Sequence, residues 1–163
     1  MSSKSHPLVF SAGPAALEEI RSEGFDPARV GTLAGASGGA KWLVLSQLDR
    51  VIIRRLLPDL SGPVHLIGTS IGAWRFACYA QRDPLAAIER FEEAYLSQTY
   101  SAKPDRAEIT AKSREILAGI FGDTGVADAL THPLFRLHVM TVRSRNLVSS
   151  ESRPVLAAGL LAA

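Results

Sequence analysis

"HLIGTSIGAWR" (residues 65–75) packs a strand, a turn and a helix into one short stretch. His65 to Ile67 read as the end of a buried apolar strand, Ile71 to Ala80 read as a helix, and Ser70 stands at their junction. A hydrolase nucleophile is held at such a junction in G-x-S-x-G. The pattern needs glycine two residues before and two after the serine, because the sharp turn brings strand and helix backbones together and leaves no room for a side chain. Gly68 and Gly72 meet that need. The elbow would also aim the N-terminus of the helix at the hydroxyl, where N–H groups and the helix dipole stabilise an oxyanion. From these residues alone a purely structural turn stays open. So does a rival serine, since "GASGG" (35–39) satisfies the same pattern around Ser37.

Working outward, the same strand-loop-helix rhythm recurs. "LVF" (8–10) leads through Ser11–Pro14 into "AALEEIRSEG", with its acidic first turn and closing glycine, and "RVGTLAG" (29–35) leads into "ASGGAKWLVLSQLDRVIIRRLL". In the latter, Leu45, Leu48, Ile52 and Leu56 share one helical face. With "GPVHLIG" and "TSIGAWRFACYA" there are three successive units. Apolar strands alternating with helices predict a parallel sheet with helices on both faces, a three-layer α/β/α fold. The Gly/Ser-rich loops then emerge at one sheet edge, where α/β folds place ligands. Beyond Arg82 the chain reads as scaffold. "DPLAAIERFEEAYL" is a helix capped by Asp83 with Leu85, Ile88, Phe91 and Tyr95 as its stripe, and "RAEITAKSREILAGIFG" is another, through Ile109, Ile116, Leu117 and Ile120. "FRLHVMTVRSR" alternates Phe135, Leu137 and Val139 against Arg136 and His138, a later strand with one face less buried.

Composition narrows the class. A chain of 163 residues, 47% apolar, is sized for one soluble domain with a sizeable core. Its 18 Lys+Arg against 16 Asp+Glu are scattered, which argues against nucleic acid as partner. Cys78 is the single cysteine, so an internal disulfide and a cysteine-based zinc site are excluded, and its apolar helix suggests a buried free thiol in a reducing compartment. The N-terminal apolar run is too short for a signal peptide, which points to the cytoplasm. The longest apolar region, Trp42 to Leu57, is broken by polar and charged residues, so any membrane contact is expected to be peripheral. "PVLAAGLLAA" ends without a polar cap and reads as a domain cut within an element.

"GASGGAKW" supplies a second piece of chemistry. Glycines ahead of a helix leave N–H groups unpaired and unshielded, an anion-binding concavity. The spacing is neither G-x-x-x-x-G-K-[ST] nor G-x-G-x-x-G, so nucleotide binding is disfavoured and no cofactor or metal is expected. Lys41 would contact a head-group phosphate or be simply solvated, and Trp42 and Trp74 would line an acyl pocket or pack in the core.

"GGAKW" (38–42) followed about thirty residues later by "GTSIGA" (68–73) resembles the patatin-like phospholipases, whose oxyanion loop G-G-x-[KR]-G opens a helix ahead of a strand and G-x-S-x-G-[AG]. The resemblance covers residues 30 to 80 and departs at Trp42, where the family usually has glycine. It implies a serine acyl hydrolase acting on a lipid or other acyl ester, with Ser70 as nucleophile, Gly38, Gly39 and Ala40 as oxyanion-hole amides, and Ser37 in the loop before the hole. An opposing assignment, with "SAGPAA" (11–16) serving Ser37, has too few glycines and too short a separation. The resemblance also implies a Ser-Asp dyad whose aspartate lies in a downstream D-G-[GA]. That motif is absent, and the later acids Asp123 and Asp128 lack the following glycine, so the chain is expected to end before its catalytic aspartate. Two alternatives follow: a truncated or diverged domain that binds acyl or anionic ligands without catalysis, and a Ser-His-Asp hydrolase. For the latter, His132 and His138 are the histidines after Ser70, and both read as structural; His65 reads as packed or pairing across strands. Oligomeric state and substrate head group are not legible.

Overall fold

Three strands run side by side in the same direction: β1 (Thr32–Gly35), β2 (Val64–Thr69) and β3 (Phe135–Met140), in the order β1-β2-β3. The structure is a computed structural model describing residues 11–150 and 152–162, apart from the side chains of Asn146 and Arg153. The expected strand at 8–10 lies outside the described residues. The register aligns Gly35 with Gly68 and Val64 with Phe135, so the loops leaving β1 and β2 emerge together at one end of the sheet. Chain order interleaves the strands with helices: α1 (Pro14–Glu23), α2 (Ser46–Val51), α3 (Ile71–Tyr79), α4 (Pro84–Leu96), α5 (Arg106–Phe121), α6 (Gly125–Thr131) and α7 (Arg153–Leu161). The architecture is mixed α/β with a small parallel sheet.

α3 is the organising helix. All of its residues except Trp74 are buried, so it is apolar nearly all round, the mark of a helix with neighbours on several sides. It packs on β1, β2 and β3, and on α4 and α5 beyond them. The core runs from Val64, Leu66 and Phe135 on the strands through Phe76, Cys78 and Tyr79 on α3 to Ile88, Phe91, Ile116 and Ile120 on α4 and α5. α4 begins as its sequence implies: Asp83 accepts the Ala86 N–H at 3.0 Å, and Ile88 and Phe91 face inward. On α5, Ile116 and Ile120 are buried, while Ile109 near its start is exposed.

Two features differ from the sequence reading. The sheet is covered on one face only among the described residues. Side chains at Thr32, Ala34, His65, Ile67, Arg136, His138 and Met140 share the other face and are exposed. α1 has no buried residue and therefore supplies no cover, so the described residues form two layers where three are expected. The second difference is the helix after "GASGG". It is a succession of a 3-10 segment (Gly39–Leu45), α2, a π turn (Ile52–Leu56) and a further 3-10 turn (Leu57–Asp59). Its buried face is Trp42, Ser46, Asp49, Ile53 and Leu57, one position round from the expected Leu45, Leu48, Ile52 and Leu56, which are half-buried. Trp42 sets this rotation from one end by stacking on Phe91 (centroids 4.1 Å apart, planes 5° from parallel), with Tyr95 edge-on at 5.8 Å. Asp49 sets it from the other, through partners described below.

No helix among the described residues is long and apolar enough to cross a membrane.

Candidate active site

Ser70 follows directly on β2 and caps α3, with φ 49° and ψ −125°. Among the described residues it is the one non-glycine with positive φ. A side chain at positive φ clashes with its own backbone at a cost of order 1–3 kcal/mol, and it persists only where the surroundings impose it. Here the surroundings are three glycines. A Cβ on Gly68 would lie 2.4 Å from the Ala73 Cα, and one on Gly72 would lie 2.2 Å from the Gly35 carbonyl oxygen. One on Gly35 would meet the Phe76 ring at 2.8 Å. Strand and helix can therefore approach closely enough to force the turn. The Ser70 carbonyl accepts the Ala73 and Trp74 N–H groups at 2.9 and 3.3 Å, starting α3, while its hydroxyl is left at the exposed surface with no capping bond.

The Gly72–Gly35 contact also joins the two loops. From Gly35 the chain passes through Ala36 and Ser37 to Gly38, which caps the 3-10 segment, and Gly39 has φ +53°. The Lys41 N–H is the first to find a carbonyl, that of Gly38, at 3.2 Å. The amides of Gly39 and Ala40 precede it and have no partner within their own helix. Ser37 sits in the middle of this exposed loop rather than at a strand-to-helix junction. Between the loop and α3 opens a cleft of about 300 Å³ whose walls include Ser37, Lys41, Trp42, Leu45, Ile71 and Arg75. Lys41 is exposed, whereas Trp42 is buried and its indole N–H has no acceptor among the described residues.

Beneath the cleft lies a polar cluster that the sequence reading missed. Asp49, wholly buried, accepts from Arg75 Nε at 2.9 Å, from Arg75 Nη2, and from the Tyr79 hydroxyl at 2.5 Å. Burial penalises the guanidinium, but the Asp49 carboxylate and Tyr79 beside it outweigh that penalty and hold Arg75 above its usual range. Burial, then the Asp49 charge, push the Tyr79 phenol well above its own. The available signal was an arginine inside the otherwise apolar "IGAWRFACY", together with an aspartate in helical register with Trp42 and Ile53. The cluster ties α2 to α3 and so supports the cleft from behind. Arg50, reaching Glu92 at 2.7 Å, ties α2 to α4.

Asp128, His132, His65 and His138, weighed as partners of Ser70, are engaged elsewhere. Asp128 accepts from the Arg82 N–H and the Thr124 hydroxyl, both at 3.4 Å, and Asp123 lies exposed in the turn before α6. His132 Nδ1 accepts the N–H groups of Leu134 and Phe135 at 3.2 and 3.0 Å, fixing the turn into β3. Burial, with the Arg136 charge second, lowers its pKa. His65 and His138 contact each other across β2 and β3.

Protein-family models produce no match to this chain, and no solved structure matches it.

Proposed function

We infer that this protein is a serine acyl hydrolase of the patatin-like kind, acting on a lipid or other acyl ester. The observation that carries the reading is the backbone of Ser70, φ 49° and ψ −125°, imposed at a strand-helix junction by Gly35, Gly68 and Gly72. Strain of this sort is retained where a side chain must be presented. Ser70 attacks the ester carbonyl, its proton passes to a carboxylate base, and an acyl-enzyme forms that water then hydrolyses. The N–H groups of Gly38, Gly39 and Ala40, on the loop held against α3 by the Gly35–Gly72 contact, stabilise the oxyanion. Trp42, Leu45 and Ile71 give the cleft walls suited to an acyl chain, and Lys41 at its rim suits an anionic head group. Peripheral membrane contact and a cytoplasmic setting, in keeping with the buried free thiol of Cys78, belong to the same reading.

One observation favours a second reading. No described carboxylate or imidazole hydrogen-bonds the Ser70 hydroxyl, and a domain without its base would bind acyl or anionic ligands rather than turn them over. Fluorophosphonate labelling separates the two. An activated elbow labels, and labelling disappears in Ser70→Ala while surviving in Ser37→Ala. Labelling lost only in Ser37→Ala reassigns the nucleophile, and a wild-type chain that stays unlabelled supports binding without catalysis.

A further inference from the structure

On the sheet face left open among the described residues, remote from Ser70, two imidazoles converge. His65 of β2 lies opposite Arg136 in register, and Ile67 lies opposite His138, so the histidines are diagonal neighbours on one face. His65 Nδ1 and His138 Nε2 are 2.8 Å apart, with ring centroids at 5.0 Å and planes 32° apart, and both residues are exposed. Their positions are 73 apart in the chain, so only the fold assembles the pair.

That separation is a hydrogen-bond length and also a chelate bite. Two nitrogens each about 2.05 Å from one ion stand about 2.9 Å apart at a right angle and about 3.3 Å apart at the tetrahedral angle. The observed spacing thus fits the right-angle positions of a tetragonal or square-planar ion and would have to open by about half an ångström for a tetrahedral one. Among the described residues, no group of three or more His, Cys, Asp and Glu side chains could enclose an ion, so the pair would hold it from one side and leave the other positions to water. We propose that His65 and His138 form a two-imidazole chelating site for a divalent late transition-metal ion, binding Cu²⁺ ahead of Ni²⁺ and Zn²⁺.

Binding requires both lone pairs to face the ion. The proton shared between Nδ1 and Nε2 in the free protein moves to the remote nitrogen of the same ring, two aqua ligands leave, and no proton is released from the neutral pair. Arg136, on the same face, turns its guanidinium back onto the carbonyls of His132 and Phe135, both at 2.9 Å, which draws its charge toward the turn. His65 precedes Ser70 by five strand positions, roughly 16 Å at the strand rise, so the site stands independently of the hydrolase reading.

The test is calorimetric titration of the full chain with CuCl₂, NiCl₂ and ZnCl₂ in a non-coordinating buffer at pH 7.5, with electron paramagnetic resonance of the Cu²⁺ form. We expect one ion per chain, the order Cu²⁺ over Ni²⁺ over Zn²⁺, and coupling to two nitrogens. His65→Ala and His138→Ala should each weaken binding roughly 10²-fold, the advantage of a second donor already fixed beside the first. His6→Ala and His132→Ala should change nothing. Binding that survives both His65→Ala and His138→Ala, or vanishes in His6→Ala or His132→Ala, overturns the assignment, as does coupling to a single nitrogen. Should a variant unfold, carbethoxylation of the native chain decides: Cu²⁺ must protect His65 and His138 together, and protection of other histidines instead is fatal to the proposal.

Discussion

Arg75 grips Asp49 with two prongs inside the core, Nε to Oδ2 at 2.9 Å and Nη2 to Oδ1, and the Asp49 side chain has no solvent exposure. Removing one member leaves the other charged and desolvated. Asp49→Ala is expected to cost about 3–5 kcal/mol, the scale for stranding a buried charge. The double variant Asp49→Leu/Arg75→Met should recover much of that loss. Denaturant midpoints across the cycle measure the coupling, and additive effects would mean the pair is not a unit.

Gly72 and Gly38 should respond unequally to alanine. On Gly72 the new methyl meets the Gly35 backbone at 2.2 Å, whereas on Gly38 its nearest neighbour is the Lys41 Cβ at 3.9 Å. Gly72→Ala is therefore expected to destabilise by about 1–3 kcal/mol or more through overpacking. Gly38→Ala should stay within about 0.5 kcal/mol. Thermal denaturation of the two variants side by side is the check.

Ser70→Gly should stabilise the fold. It removes the positive-φ strain of order 1–3 kcal/mol and gives back about 0.5–1 kcal/mol in chain entropy, a net gain of about 1 kcal/mol. Ser70→Ala keeps the Cβ and with it the strain. A melting temperature raised in Ser70→Gly and unchanged in Ser70→Ala shows that the elbow stores strain; equal melting temperatures show that it does not.

His132 links stability to pH. Its folded pKa lies below the ordinary value because burial, then Arg136, disfavour the imidazolium. The unfolded chain thus binds the proton more readily, and stability rises with pH through this window. The contribution is complete above about pH 6.5 and is lost as pH falls through the folded pKa. His132→Asn retains an acceptor for the Leu134 and Phe135 N–H groups and cannot titrate. Its stability profile between pH 7 and pH 5 should be shallower than the wild type, as read from urea midpoints at each pH.

Much of the site was legible because its causes are local. Gly68 and Gly72 follow from what a strand-to-helix reversal demands within five residues, and the stripe of α4 and the Asp83 cap follow from periodicity and a cap-proline pair. The helix after Gly39 buries a face one position round from the expected one for the opposite reason. Leu45, Leu48, Ile52 and Leu56 make an equally regular stripe, and the choice between stripes was settled by Phe91 and Arg75, which lie far along the chain.

The sequence by itself determined the α/β alternation, the parallel strands and the positions of the two glycine-rich turns, because period-two and helical patterns, caps and glycine requirements act over a few residues. Tertiary structure decided which charges go inside, which sheet face stays open among the described residues and which histidines meet. Burying Asp49 is tolerable only once Arg75 and Tyr79 arrive to satisfy it, and His65 finds His138 only through the register of β2 on β3. Such outcomes depend on pairs distant in sequence, whose energies exist only after the chain has closed on itself.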